Sequence, residues 1–303
     1  MSRSLSAAAA ALLAFGIPFL GGVVAWPEIV VPAYYVLHGS LLYGDIFFPH
    51  TPLLILLTAA GARLVDFGPH LFSGVVGLSL AATAALCVIG SGRGVRRTAL
   101  PAVASVALVG LWTVYHEGPA LWPDPFIAPF VLGAALLLER FERRGRAAHL
   151  VCAGLLLGLA ILVKQTSAWV PLAAVVWLLA RSRRRSHRTT LLLVAAICAP
   201  YALFAVSWGA VFGTVSHVRW TLLVPLEMGA AKDNLNPFDL EDLHEVAAPL
   251  LGFPALLLAR IALPGRGRLR SALPWLALGC FGMTYPRADL LHLSSTLGLG
   301  IVA

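Results

Sequence analysis

The chain has 303 residues, 59% of them hydrophobic and only 12% charged, where soluble domains carry about 25% charged residues. This excludes a soluble globular enzyme. Because apolar runs recur from end to end, it also excludes a single anchor on a soluble domain, which leaves an all-α polytopic integral membrane protein. The formal charge of +8 suggests a nucleic-acid partner, but the basic residues are dispersed in short hinges between apolar runs, so no nucleic acid is expected.

The first run, 5–25, follows Arg3 and contains Pro18. No sharp small-x-small site ends it, so it is read as a retained first helix rather than a cleaved signal peptide. Residues 26–50 come next, with Trp26, Tyr34 and Tyr35 as interfacial anchors. The run 51–67 is apolar but short, contains Arg63 and Asp66, and ends at Phe67-Gly68-Pro69. If it does not span, the spans are 5–25, 70–90, 98–115, 126–138, 147–163, 168–180, 189–208, 246–263 and 271–284. The loops 91–97, 139–146, 181–188 and 264–270 then share one side with the N-terminus. With Arg3 and Arg260 at its border, that side holds 17 of the 22 Lys and Arg. A spanning 51–67 would move every later basic loop away from Arg3. The positive-inside rule therefore makes 51–67 interfacial or re-entrant and the N-terminus cytoplasmic, in a multi-pass protein of the plasma (inner) membrane. Of the acids, only Glu139 and Glu142 are on the cytoplasmic side, and the other 12 are outside or at the outer edge. The Arg-rich loops are suited to contact with anionic membrane lipids.

Runs 126–138 and 168–180 have 13 residues each, about 20 Å of helix against a ~30 Å hydrocarbon core. They are expected to extend into their polar flanks or to cross a thinned region. The last run, 293–303, stops in mid-pattern, and the chain is read as one membrane domain, 1–303, lacking its C-terminal helices. The expected architecture is about 9–10 transmembrane helices plus an interfacial helix in the first outer loop. Cys87, Cys152, Cys198 and Cys280 fall inside apolar runs and read as buried small hydrophobes, with neither metal spacing nor a disulfide framework.

The outer side carries the polar chemistry. Asp45 is the one carboxylate of the stretch 38–54, set between Gly44 and the phenylalanines at 47 and 48. Gly44 and Pro49 mark turns, which puts Asp45 on a loop or at a helix end. Beside aromatics at a membrane edge it would be partly desolvated, a setting for a proton acceptor; the plain alternative is a solvated loop aspartate. Glu117 and Asp124 lie in a Pro-rich outer loop, either as a carboxylate cluster with Asp45 or as ordinary loop acids. Lys164 and Gln165 interrupt apolar sequence, and a lysine there either contacts a phosphate or snorkels to the interface. Arg287, Asp289 and His292 follow Pro286; the guanidinium fork suits phosphate, and the alternative is an Arg–Asp loop pair. The long outer loop 209–245 is expected to form amphipathic helices over the outer face. The sequence has no Gly-rich phosphate loop, His-Glu-x-x-His or Cys-x-x-Cys, so neither a cofactor nor a metal is expected.

Leu42-Tyr43-Gly44-Asp45-Ile46-Phe47-Phe48-Pro49-His50-Thr51-Pro52-Leu53 resembles the first outer loop of GT-C-type polytopic glycosyltransferases. The closest are bacterial proteins related to glycosyltransferase family 39, the protein mannosyltransferases and lipid A sugar transferases. Gly154-Leu-Leu-Leu-Gly158-Leu-Ala-Ile-Leu-Val-Lys164-Gln165-Thr166 is similar to that family's Gly-Leu-Ala…Lys segment, and Tyr285-Pro-Arg287-Ala-Asp289-Leu-Leu-His292 to a later Pro-Arg-x-Asp-x-x-His element. Protein mannosyltransferases often carry an Asp-Glu pair in the first loop, whereas here Ile46 follows Asp45. The resemblance implies a polyprenyl-phosphate-linked sugar as donor, a lipid, glycan or protein as acceptor, Asp45 as general base, and inversion at the anomeric carbon. It assigns Lys164 and Arg287 to the phosphate, and His50, Gln165, Asp289 and His292 of the matching segments, with Glu117 and Asp124 of the Pro-rich loop, are the candidate substrate contacts. The competing readings are a transporter or flippase, which would place its ionisable groups near the bilayer midplane, and a non-catalytic membrane subunit.

Overall fold

The computed structural model describes residues 3–46, 48, 51–90, 120–180, 182–212, 218–223, 254–255, 258 and 271–283. In chain order the elements are α1 (Arg3–Gly21), β1 (Val24–Ala25), α2 (Pro27–Leu37), α3 (Leu53–Gly61), α4 (Pro69–Gly90), β2 (Ala120–Leu121), α5 (Pro123–Arg144), α6 (Ala147–Val163), a 3₁₀ turn (Gln165–Ala168), α7 (Trp169–Ala180), α8 (His187–Phe212), a π-helical turn (Arg219–Leu223) and α9 (Leu273–Gly282). Lipid offers backbone groups no hydrogen-bond partner, which is why apolar runs of this length close their bonds within helices. Three described helices, α1, α4 and α8, are long and apolar enough to cross a membrane. Most of α1 and α8 faces outward with exposed leucines such as Leu12, Leu191 and Leu203, as expected of surfaces that meet lipid, while α4 is more enclosed.

Close contacts fix the directions of the helices. Gly77 of α4 lies against the Phe15 carbonyl and the Ser73 hydroxyl donates to the Pro18 carbonyl at 3.3 Å, so α1 and α4 are antiparallel. The ends at Gly21 and Pro69 therefore fall together, and the whole of 22–68 stays at one end of the bundle. Within that segment α3 has nine residues, about 14 Å, too short to span. This agrees with the interfacial reading of 51–67. The Ser79 hydroxyl donates to the Pro125 carbonyl at 3.0 Å and Gly90 abuts Leu136, so α4 and α5 run parallel. Gly133 abuts Leu156 across the α5–α6 hairpin. Gly154 meets Ala196, and Gly158 meets the Ile197 carbonyl and Pro200, so α6 and α8 run parallel. Gly279 packs on Val170 and Ala173 and Gly282 on Trp169, which sets α9 antiparallel to α7.

These directions gather the described basic turns, 139–146 and 182–188, at the end opposite 22–68. Glu142, near the C-terminus of α5, accepts the Ser182 hydroxyl at 2.6 Å and the Arg183 N–H at 3.0 Å. The Arg184 guanidinium returns a bond to the Glu142 carbonyl at 2.9 Å, satisfying one of the last carbonyls of α5. Gly145, at φ 70°, ends α5 in the left-handed conformation, and its N–H reaches the Phe141 carbonyl at 2.7 Å. Glu139 accepts the Ser271 hydroxyl at 2.8 Å, bringing the start of α9 to the same end. Glu139 and Glu142 thus clamp the turns of the Arg-rich end.

Run 126–138 extends into both flanks as expected, giving the 22 residues of α5, about 33 Å. Run 168–180 does not: α7 keeps 12 residues because Lys164 leaves α6 with extended backbone and the 3₁₀ turn occupies the flank. Cys87 and Cys280 are buried as expected, but Cys152 and Cys198 are exposed on the outward faces of α6 and α8. Of loop 209–245, residues 209–212 continue α8, 219–223 form the π-helical turn just after residue 218, and the rest lies outside the described residues. So do the predicted span 98–115, most of the span 246–263 and the last run, 293–303.

The α6–α8 contact yields a direct test. A methyl group on Gly158 would strike the Ile197 carbonyl and lie 2.8 Å from the Pro200 ring, neither of which can yield without moving α8. Gly158→Ala should therefore destabilise by about 1–3 kcal/mol, lowering the Tm of the detergent-solubilised protein. Gly74→Ala, with nothing within 4 Å of the added methyl, should leave Tm unchanged or raise it.

Candidate active site

Asp45 sits on a tight turn closed by several bonds. The N–H groups of Gly44, Asp45 and Ile46 converge on the Leu41 carbonyl at 3.1, 2.8 and 3.3 Å, and the Tyr43 N–H reaches the Ile46 carbonyl at 3.1 Å. The Leu41 N–H in turn donates to Asp45 Oδ2 at 2.9 Å. Below the turn, Leu42, Tyr43 and Phe48 are buried, and above it Asp45 is exposed. Phe48 turns into the core instead of covering the carboxylate, which stays exposed, and Phe47 lies outside the described residues.

The exposed side of the turn forms one wall of an open groove of about 570 Å³, and α2 forms the other. Pro27 starts α2 at its first turn, so Glu28, Val31 and Tyr35 recur at helical spacing on the face that lines the groove, opposite Ser40, Asp45 and Ile46. Tyr34, on the next face, stacks on Phe67, and Phe67 stacks on Phe72 of α4, with ring centroids 5.5 and 5.3 Å apart. This chain of rings holds α2 against the corner between α3 and α4. Glu28 was not among the residues singled out from sequence. The signal was the proline at the helix start followed by the 28–31–35 spacing.

A second cluster lies at the same end of the bundle. β1 and β2 pair in parallel, Val24 with Ala120 and Ala25 with Leu121, which brings the next residues, Trp26 and Trp122, together with ring centroids 5.3 Å apart. Lys164 caps α6, is only 6% exposed, and holds its Nζ 5.9 Å from the centre of the Trp122 ring, within cation–π range. The 3₁₀ turn begins at the next residue, and the Ser167 N–H donates to the Lys164 carbonyl at 3.0 Å. Gln165 is partly buried there. The hydroxyls of Thr166 and Ser167 are buried with no hydrogen-bond partner among the described residues, an arrangement that costs about 1–3 kcal/mol per group unless a ligand or water fills it. Asp124 falls in the first turn of α5, two residues beyond Trp122. The structure therefore brings Lys164, Gln165 and the backbone of Asp124 to one cluster and gives Asp45 its own groove. His50, Glu117, Arg287, Asp289 and His292 lie outside the described residues.

A helical bundle with a short non-spanning helix after its first span, a carboxylate turn at one end and Arg-rich turns at the other defines a polytopic helical membrane protein. The chain belongs to the family described as dolichyl-phosphate-mannose-protein mannosyltransferase, whose model matches residues 49–208. The fold is similar to that in the crystal structure of ArnT from Cupriavidus metallidurans bound to undecaprenyl phosphate, with a TM-score of 0.64 and 15% sequence identity over 97% of this chain and 58% of that one. The chain therefore spans a little over half the length of that protein. No curated protein sequence matches it.

Tyr43 adds a measurable property. Burial pushes its phenol well above the usual value near 10, and Tyr201 of α8 lies close enough to raise it further. The folded protein thus holds this proton to higher pH than the unfolded chain does. The stability it contributes is complete below about pH 10 and is lost as pH rises beyond that. Between about pH 9 and pH 11 the fall in Tm should be shallower in Tyr43→Phe than in the parent protein, as thermal melts of the two across that range will show.

Proposed function

We propose that this protein is a membrane glycosyltransferase that moves a sugar from a polyprenyl-phosphate donor to an acceptor hydroxyl at the face opposite the Arg-rich turns. The observation that carries the reading is Asp45: an exposed carboxylate, oriented by the Leu41 N–H, on the wall of an open groove at the same end of the bundle as the buried Lys164. Family membership supports the reaction class. The undecaprenyl phosphate held by the structurally similar ArnT supports the donor class. In this reading the acceptor, a lipid, glycan or protein, enters the groove. Asp45 takes the hydroxyl proton as the oxygen attacks the anomeric carbon, and the bond to the polyprenyl phosphate breaks with its electron pair leaving on the phosphate. One displacement inverts the anomeric centre. Lys164 and Arg287 face the charge that develops on the leaving phosphate. The unpartnered Thr166 and Ser167 hydroxyls are donors for the same oxygens. Gln165, His50, Glu117, Asp124, Asp289 and His292 complete the substrate contacts. The Arg-rich end is cytoplasmic in the plasma (inner) membrane, and residues 1–303 act as one membrane unit.

Asp45→Asn keeps the size and removes the base, so transfer should fall by about 10²–10⁴ at equal expression. Glu117→Gln and Asp124→Asn should each cost less. Near-normal transfer by Asp45→Asn alongside an inactive Asp124→Asn would transfer the role of base to Asp124. Orientation is checked by an impermeant thiol reagent applied to intact cells, which should label a cysteine placed at position 47 but not one at position 94. Labelling of both from outside would overturn the topology.

A further inference from the structure

Basic residues that are dispersed in the sequence are drawn together by the fold. Residues 139–146 and 182–188 carry eight arginines against two glutamates, and the carboxylates neutralise few of them. Glu142 gives its two oxygens to the Ser182 hydroxyl and the Arg183 N–H, both uncharged donors. Glu139 accepts the Ser271 hydroxyl and makes one exposed ion pair, with Arg143 at 3.4 Å. Arg184 turns back onto the carbonyls of Glu142 and Arg143, and Arg185 onto the Leu179 carbonyl at 3.5 Å. Arg140, Arg144, Arg146 and Arg188 are exposed, and their guanidiniums have no partner among the described residues.

Helix packing sets two of these four at one level. The parallel helices α6 and α8 meet with Gly154 against Ala196. Arg146 stands eight residues before Gly154 and Arg188 eight before Ala196, so both lie about 12 Å from that contact, at the starts of neighbouring helices. Arg146 is the N-cap of α6, and no side chain caps the first amides of that helix. His149, in the same first turn, keeps a buried Nδ1 with no hydrogen-bond partner among the described residues. Leu191, about one helical turn beyond Arg188, is 69% exposed on α8, a helix apolar enough to cross a membrane. A cationic ledge is thus followed directly by an apolar face.

We propose that Arg146 and Arg188, at the paired starts of α6 and α8, bind the phosphate of one anionic glycerophospholipid whose acyl chain lies on the Leu191 face. Each guanidinium offers a fork of donors that matches phosphate oxygens, and the uncapped amides of α6 add partial positive charge at the same level. A zwitterionic headgroup would bring its own cation to a surface that already has an excess of them. A soluble anion would meet the arginines but leave the apolar face unused. The site needs only the membrane, so it does not rest on sugar transfer.

The test titrates the full-length protein, in a neutral maltoside detergent, with phosphatidylglycerol or phosphatidylcholine and counts bound lipid by native mass spectrometry. Phosphatidylglycerol should bind about tenfold more tightly. Arg146→Gln and Arg188→Gln should each weaken its binding about fivefold, while Arg140→Gln, which removes an equal charge from the same end, should stay within about twofold. Both arginines are exposed, so the variants should keep the parent Tm without lipid; if one does not fold, the other decides. Equal binding of the two lipids overturns the proposal. So does an equal loss in all three variants, which is the bulk attraction of the Arg-rich end. Glycerol 3-phosphate binding as tightly as phosphatidylglycerol would make this a soluble-anion site and overturn the lipid assignment. No sugar donor enters the measurement, so its failure leaves the transfer reading untouched, and an active Asp45→Asn leaves this site untouched.

Discussion

In a bilayer, helices gain nothing by hiding apolar surface from one another, because lipid tails are as apolar as leucine. Association has to come from close van der Waals fit, and here glycine supplies it. Gly154 and Gly158, one helical turn apart on α6, let α8 approach until its Ile197 carbonyl and Pro200 ring fill the space a side chain would need. Gly77 does the same for α1 on α4, Gly133 for α6 on α5, and Gly279 for α7 on α9. Each glycine fixes the height of one helix against its neighbour, and together these heights place Trp122, Lys164 and Tyr201 near one end of the bundle. The site is a product of those registers.

The outer end adds a constraint that α-helices alone lack. The short parallel pairing of β1 with β2 joins the exit of α1 to the entry of α5 across 94 or more residues of chain. It stacks Trp26 on Trp122 and gives Lys164 an aromatic surface. The nine-residue α3 and the ring chain Tyr34–Phe67–Phe72 then brace α2, which supplies the second wall of the Asp45 groove. The two candidate clusters are thus carried by different devices, strand pairing for one and aromatic packing for the other.

Much of this was legible in the sequence, because the signals were local. Apolar runs marked the helices, the Arg-rich loops marked one end, and the placement of those loops relative to Arg3 marked 51–67 as non-spanning. Less was legible where a contact joins distant residues. Nothing near Trp26 announces Trp122, and nothing in the Leu42-Tyr43-Gly44 stretch says that the left-handed residue is Tyr43 rather than the glycine that propensity favours. Glu28 was overlooked because residues 26–50 were read for their interfacial anchors, Trp26, Tyr34 and Tyr35, although Pro27 and the 28–31–35 spacing carried a helix signal. The orientation of Phe48 escaped for a related reason: adjacency to Asp45 in sequence suggested cover, and the turn sends the ring inward.

The clasp at the Arg-rich end bears on how the protein is made. Glu142 can bind the Ser182 hydroxyl and the Arg183 N–H only once those residues, some 40 positions further on, have been synthesised. At about 5–20 residues per second that is a wait of about 2–8 s. Partway through that interval α6 is finished and the α5–α6 hairpin is complete, its turn set by Gly145, while the Glu142 carboxylate still lacks its partners. The next hairpin to enter the membrane supplies them. A single carboxylate on an early helix thus acts as a receiving point for a later pair, so the order of insertion is written into the finished contact.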